Sequence, residues 1–87
     1  MTNKIKNISI IGDGGWGTTL AVHLAKKGLN ISLWSPFPEY ISKIAKNRYN
    51  PKFLPGIRIP HEIQITSDLS KAIKESGAIV FAIPSKY

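Results

Sequence analysis

Ile8-Ser9-Ile10-Ile11-Gly12-Asp13-Gly14-Gly15-Trp16-Gly17-Thr18-Thr19-Leu20-Ala21 is the stretch on which the fold turns. A short apolar run ends in glycines spaced G-x-G-x-x-G, and a helix-forming run follows at once. Alone the glycine pattern is weak; between a strand and a helix near the N-terminus it acquires a mechanism. Gly12 lets the chain reverse tightly as it leaves the strand. Gly14, with no Cβ, brings backbone within reach of phosphate oxygens, and Gly17 lets helix and strand pack closely. The first N–H groups of that helix have no partner inside it and lie at the positive end of its dipole. They form an anion site that a dinucleotide pyrophosphate can fill; the alternative is a glycine-rich turn with no ligand. Asp13 is expected to point away and bond the turn. Trp16 either packs on the sheet or shields the bound group.

Working outward, residues 5–11 read as a first strand, apolar enough to be covered on both faces. Residues 15–27 read as a helix with Trp16, Leu20 and Leu24 on one stripe and Ala21 and Ala25 beside it. Lys26-Lys27 suits its last turn and Gly28 its stop. Ile31–Trp34 is a second strand; Pro36 and Pro38 then mark a turn and a first helical position before a helix over 39–47. From Arg48 to Pro60 the pattern stops, because Pro51, Pro55, Gly56 and Pro60 exclude a regular helix. Residues 62–66 alternate as a short strand, Ser67 or Asp68 caps a helix that Gly77 closes, and Ala78–Ile83 is a fourth, buried strand.

This alternation predicts the α/β class: the N-terminal half of a Rossmann-type doubly wound parallel sheet, strand order 3-2-1-4. The topological switch falls between the first and fourth strands, so Pro84 and Ser85 share a crevice with the glycine turn. At 87 residues the chain is one small domain at most. So apolar a last strand wants neighbours on both sides, and the expectation is an N-terminal piece, residues 1–87, of a longer dinucleotide-binding domain.

Bulk properties narrow the classes further. With no cysteine there is no disulfide or thiolate metal site, and a reducing compartment is compatible. His23 and His61 stand without a second spaced ligand, so no metal site is expected. The charged N-terminus does not lead into a signal-peptide core, since the glycines break the apolar run. No stretch approaches the roughly 18 apolar residues of a membrane span; a cytoplasmic protein is expected. The net charge of +7 is scattered as singles and one Lys26-Lys27 pair, which argues against nucleic acid and for an anionic small molecule.

Together these residues resemble bacterial NAD(P)-dependent glycerol-3-phosphate dehydrogenase. Gly12–Ala21 is similar to that family's G-x-G-[SA]-[WY]-G-T-A-L-A fingerprint, Leu33-Trp34 to its second strand end, Asn47–Pro55 to its N-x-x-[YF]-L-P loop, and Ala82-Ile83-Pro84-Ser85 to its V-P-[ST] strand end. The resemblance implies hydride transfer between NAD(P)H and dihydroxyacetone phosphate, giving sn-glycerol 3-phosphate for phospholipid synthesis. It places Gly15 and Trp16 on the cofactor phosphates and Pro36 at the adenosine end. Gly15 replaces the family's Ser or Ala, and Pro36 a residue that is often His or Arg. The family's catalytic lysines and a helical substrate domain fall beyond residue 87, so no residue here is expected to be catalytic.

The expected cofactor contacts are therefore Gly12, Gly14, Gly15, Trp16, Gly17, Ser35, Pro36, Phe53, Pro84 and Ser85. Phe53 and Tyr49 either close over the cofactor or pin their loop. Homodimerisation of a full-length protein is left open. Two other readings compete: another Rossmann dehydrogenase of the 6-phosphogluconate or hydroxyacyl-CoA type, and a non-catalytic nucleotide-binding module.

At the second strand end, where an acid would bind the ribose of NAD, the chain reads Trp34-Ser35-Pro36, with no carboxylate until Glu39. Nothing there repels a 2′-phosphate, so both NAD and NADP are expected to enter, NADP slightly favoured. Titrating each into the intact protein checks this; a strong preference for NAD contradicts it.

Overall fold

Strands and helices alternate as the residue pattern requires. The structure is a computed structural model and describes residues 6–12, 14–52, 54–74 and 76–82. In chain order the elements are β1 (Asn7–Ile11), α1 (Gly15–Lys26), β2 (Asn30–Trp34), α2 (Pro38–Asn47), β3 (Tyr49–Asn50), β4 (Leu54–Arg58), β5 (Gln64–Thr66), α3 (Leu69–Ile73) and β6 (Ala78–Phe81). The main sheet runs β5-β2-β1-β6 with every pair parallel, which is the expected 3-2-1-4 order.

Register decides what each face buries. Ile8 pairs with Ile31, Ile10 with Leu33 and Val80, and Leu33 with Ile65, so these side chains share one face. Against them α1 places Ala21 and Val22 and α2 places Ile41 and Ile44, forming the core with Ile59 and Ile63. The opposite face is polar where the strands begin, at Asn7, Ser9, Asn30, Ser32 and Gln64. It carries α3, tied down by Ser9 Oγ donating to the Ala72 carbonyl.

On that face Ile79 is 44% and Phe81 70% exposed. The expectation of a fully buried last strand is corrected: β6 is the edge of the described sheet, and helices cover only one of its faces. The α1 stripe is also rotated from expectation. Gly17, Thr18, Ala21 and Val22 are buried, Leu20 and Leu24 are half-buried, and Trp16 is 63% exposed. Helical side chains lean toward the N-terminus, so a residue in the first turn reaches past the sheet end rather than onto it.

Helix ends follow the expected chemistry. Lys27 caps α1, and Gly28 at φ 90° and Leu29 return N–H bonds to Ala25 and Leu24, a Schellman closure. Pro38 opens α2. Asp68 caps α3 by accepting from the Lys71 N–H at 3.1 Å. That helix ends at Ile73, short of Gly77, because the Gly77 N–H is taken by the Asn7 carbonyl at 2.8 Å to begin β6.

The segment without pattern, 48–60, is a short antiparallel pair, β3 with β4, outside the main sheet. Arg48, left-handed at φ 61°, ends α2 and folds the pair back onto the body. Its guanidinium donates to the Ile63 carbonyl at 2.7 Å and the Pro60 carbonyl at 3.3 Å, and its own carbonyl accepts from the Ile59 N–H at 2.7 Å.

Helix α1 meets the sheet almost backbone to backbone. A Cβ on Gly17 would lie 2.5 Å from the Gly12 carbonyl oxygen and 3.0 Å from Ala82 Cβ. Gly17→Ala must push α1 away from β1, an overpacking change costing about 1–3 kcal/mol. Thermal unfolding of the intact protein followed by circular dichroism is expected to show a lower midpoint. An unchanged midpoint contradicts the close fit.

Candidate functional site

Four neighbouring strands end at one level. The Gly12 N–H donates to the Trp34 carbonyl at 2.7 Å, the Ala82 N–H to the Ile11 carbonyl at 2.8 Å, and the Ser35 N–H to the Thr66 carbonyl at 3.3 Å. The glycine turn therefore leaves β1 between the exits of β2 and β6, at the point where the winding direction of the sheet reverses. In an open α/β sheet that is the ligand crevice. Gly12 holds φ 126°, and a Cβ there would meet the Ala82 carbonyl oxygen at 2.5 Å, so glycine is required twice over.

Gly14 has a different reason to be glycine. At φ −65° its backbone is ordinary, and a Cβ would meet no atom of the described residues within 4 Å. Neither strain nor packing inside the chain excludes a side chain. What its absence leaves is open space at the mouth of α1. The helix's first i→i−4 bond runs from the Thr18 N–H to the Gly14 carbonyl at 2.9 Å. The N–H groups of Gly15, Trp16 and Gly17 precede it and have no acceptor in the ladder. No acidic residue lies in this first turn. The result is a positive mouth built from main chain, suited to an anion.

Of the expected contacts, Gly12, Gly14, Gly15 and Gly17 form this turn. Trp16 stands beside it, 63% exposed, and is not packed on the sheet. At the β2 exit, Pro36 is exposed, but Ser35 is fully buried and its Oγ accepts from the Phe37 N–H at 3.3 Å. That bond ties Ser35 to the start of α2. Asp13, Phe53, Pro84 and Ser85 lie outside the described residues. Tyr49 is 42% exposed. His23 and His61 are both exposed, with His61 Nε2 3.0 Å from the Arg58 guanidinium. Among the described residues no group of three or more His, Cys, Asp or Glu could hold a metal.

Sequence reasoning missed a buried polar bridge beside the turn. Asn50 is fully buried; its Nδ2 donates to Thr18 Oγ1 at 2.8 Å and its Oδ1 accepts from the Tyr40 hydroxyl. A primary amide buried without partners costs about 1–3 kcal/mol, so these contacts are specified ones. Its signs in the sequence were an asparagine before a proline, which reads as a turn residue, and its place as the first residue of the N-x-x-[YF]-L-P pattern over residues 50–55.

A separate cavity of about 450 Å³ lies under α3, lined in part by Asn7, Asn30, Ser32, Gln64 and Lys71. It sits where the strands begin, at the far end of the sheet from the glycine turn, and its lining side chains pair with one another: Asn30 with Asn7 at 2.9 Å and Ser32 with Gln64 at 3.1 Å. The turn, whose first helical N–H groups have no acceptor in the ladder, is the stronger candidate.

Residues 7–87 match the family model described as NAD-dependent glycerol-3-phosphate dehydrogenase N-terminus. A glycerol-3-phosphate dehydrogenase [NAD(P)+] of Prosthecochloris aestuarii is 43% identical over 79 residues, 91% of this chain and 24% of the relative. The crystal structure of glycerol-3-phosphate dehydrogenase from Coxiella burnetii superposes with a TM-score of 0.87 at 31% identity, over 93% of this chain and 25% of that one. The Plasmodium falciparum glycerol-3-phosphate dehydrogenase gives 0.78 at 28% identity, over 93% of this chain and 25% of that one. The chain thus spans 24% of the length of the first of the curated relatives it matches.

Gly14→Ala separates binding from folding. At a compatible φ the entropic gain of alanine is opposed by its poor standing at the N-cap, so stability is expected to stay within about 1 kcal/mol of wild type. Its methyl enters the open space, and affinity for ADP-ribose, measured by calorimetry, is expected to fall at least about tenfold, or ~1.4 kcal/mol. Wild-type affinity in the alanine variant contradicts the site.

Proposed function

The chain belongs to the family of NAD-dependent glycerol-3-phosphate dehydrogenase N-termini, and on that premise we propose that it is the coenzyme-binding start of an enzyme reducing dihydroxyacetone phosphate to sn-glycerol 3-phosphate. The observation that carries this is the mouth of α1, where the N–H groups of Gly15, Trp16 and Gly17 precede the helical ladder and a Cβ on Gly14 would meet only open space. That geometry fits the diphosphate of NAD or NADP. Trp16 shields it, and the Ser35-Pro36 exit of β2 receives the adenosine end. When bound, the nicotinamide supplies or accepts the hydride. This chain's own part is to bind and orient the coenzyme.

We further propose that residues 1–87 are the N-terminal part of a larger dinucleotide-binding domain, followed by a helical substrate domain that brings the catalytic groups. The exposed Ile79 and Phe81 on the uncovered face of β6 support this, as an apolar parallel strand is stable when helices cover both faces. Among the described residues no helix is long and apolar enough to cross a membrane; a cytoplasmic enzyme, making its product for phospholipid synthesis, is the reading we adopt.

The test is coenzyme oxidation by the intact protein. Dihydroxyacetone phosphate is expected to drive oxidation of NADH or NADPH, with 6-phosphogluconate-type and hydroxyacyl-CoA-type substrates inactive in the corresponding assays. Turnover of one of those substrates in its place contradicts the assignment. Coenzyme binding with no turnover of any of them supports a non-catalytic module.

A further inference from the structure

One buried amide joins three parts of the molecule that the sequence separates. Asn50 lies in β3, its donor reaches Thr18 in the first turn of α1, and its acceptor takes the hydroxyl of Tyr40 in α2. Thr18 follows Gly17 directly, and its N–H makes the first helical bond, to the Gly14 carbonyl. Tyr40 continues the chain of contacts, its hydroxyl accepting from the Lys52 N–H at 3.2 Å in the turn between β3 and β4. A continuous ladder therefore runs from Gly14 through Thr18, Asn50 and Tyr40 to Lys52.

The amide's Nδ2 donates to Thr18 Oγ1 and its Oδ1 accepts from the Tyr40 hydroxyl, whose oxygen also accepts from the Lys52 N–H. Asn50 and Thr18 are both fully buried, so water cannot substitute for either partner. The bridge thus sets the position of the first turn of α1 against the β3–β4 pair. It does so one residue beyond the amides that face the crevice.

We propose that Asn50 is a positioning residue for dinucleotide binding, holding the first turn of α1 and the β3–β4 turn in one fixed relation through Thr18 and Tyr40. The inference rests on the reading of that turn as the diphosphate site. With the bridge cut, the amides of Gly15, Trp16 and Gly17 lose their fixed aim. Dinucleotide then binds more weakly, while turnover at saturating coenzyme is retained, because Asn50 touches no reacting atom.

The test uses the intact protein with Thr18→Val, Thr18→Ser, Asn50→Ala and Tyr40→Phe, and measures NADH and NADPH affinity by fluorescence, coenzyme KM, kcat, and thermal midpoint. Thr18→Val and Asn50→Ala are expected to raise the coenzyme Kd and KM about tenfold with kcat held, and Thr18→Ser, which keeps the hydroxyl, to stay near wild type. A purely structural bridge would lower the thermal midpoint and leave the Kd of folded protein unchanged; that result overturns the inference. Should Asn50→Ala fail to fold, the Thr18→Val and Thr18→Ser pair decides it alone, and Tyr40→Phe repeats the test from the other end of the ladder. If wild-type protein binds neither NADH nor NADPH, the diphosphate reading fails first and takes the inference with it. If wild type binds and folded Thr18→Val binds equally well, the inference fails alone.

Discussion

The structure depends on one close approach of main chain to main chain. Where β1 ends, the Gly12 backbone packs against both the Ala82 carbonyl and the start of α1, and a Cβ on Gly12 or Gly17 would lie 2.5 Å from a carbonyl oxygen. No side chain fits that space. The contact fixes where α1 starts relative to β1 and β6, and so it fixes where the unpaired amides of the first turn point. Fold and site share a cause: the glycines that let helix and sheet meet also bring donors to the crevice.

What the site offers is mostly main chain. No acidic side chain opposes an anion in the first turn of α1, and the positive charges of the chain are dispersed rather than gathered there. An anion bound this way is held by dipoles whose positions the backbone sets, with little side-chain ordering required. That places a premium on holding the turn still. The β3–β4 pair contributes by docking on Arg48, Ile59 and Ile63 below and through Asn50 beside the helix.

Much of this was legible in the residues. The glycine spacing, the caps at Gly28, Pro38 and Asp68, and the apolar runs sufficed for strand order and helix placement, because each depends on local chemistry. Three features were not legible, and each depends on distant partners. Asn50 reads locally as a turn residue and becomes a core one only because Thr18 and Tyr40 meet it. Ser35 is fully buried and its hydroxyl accepts from the Phe37 N–H, a contact set by the turn into α2. The β3–β4 pair forms in a segment whose prolines exclude a helix but say nothing of what replaces it. Trp16 shows the converse: a helical stripe drawn from hydrophobicity misses that the first turn overhangs the sheet.

The most direct measurement is a crystal structure of the intact protein grown with NADH. The account places diphosphate oxygens about 2.7–3.2 Å from backbone nitrogens at Gly14–Gly17, with the bridging atoms lying in the space beside Gly14. A dinucleotide bound elsewhere, as in the polar cavity beneath α3, with the glycine turn untouched, would contradict it.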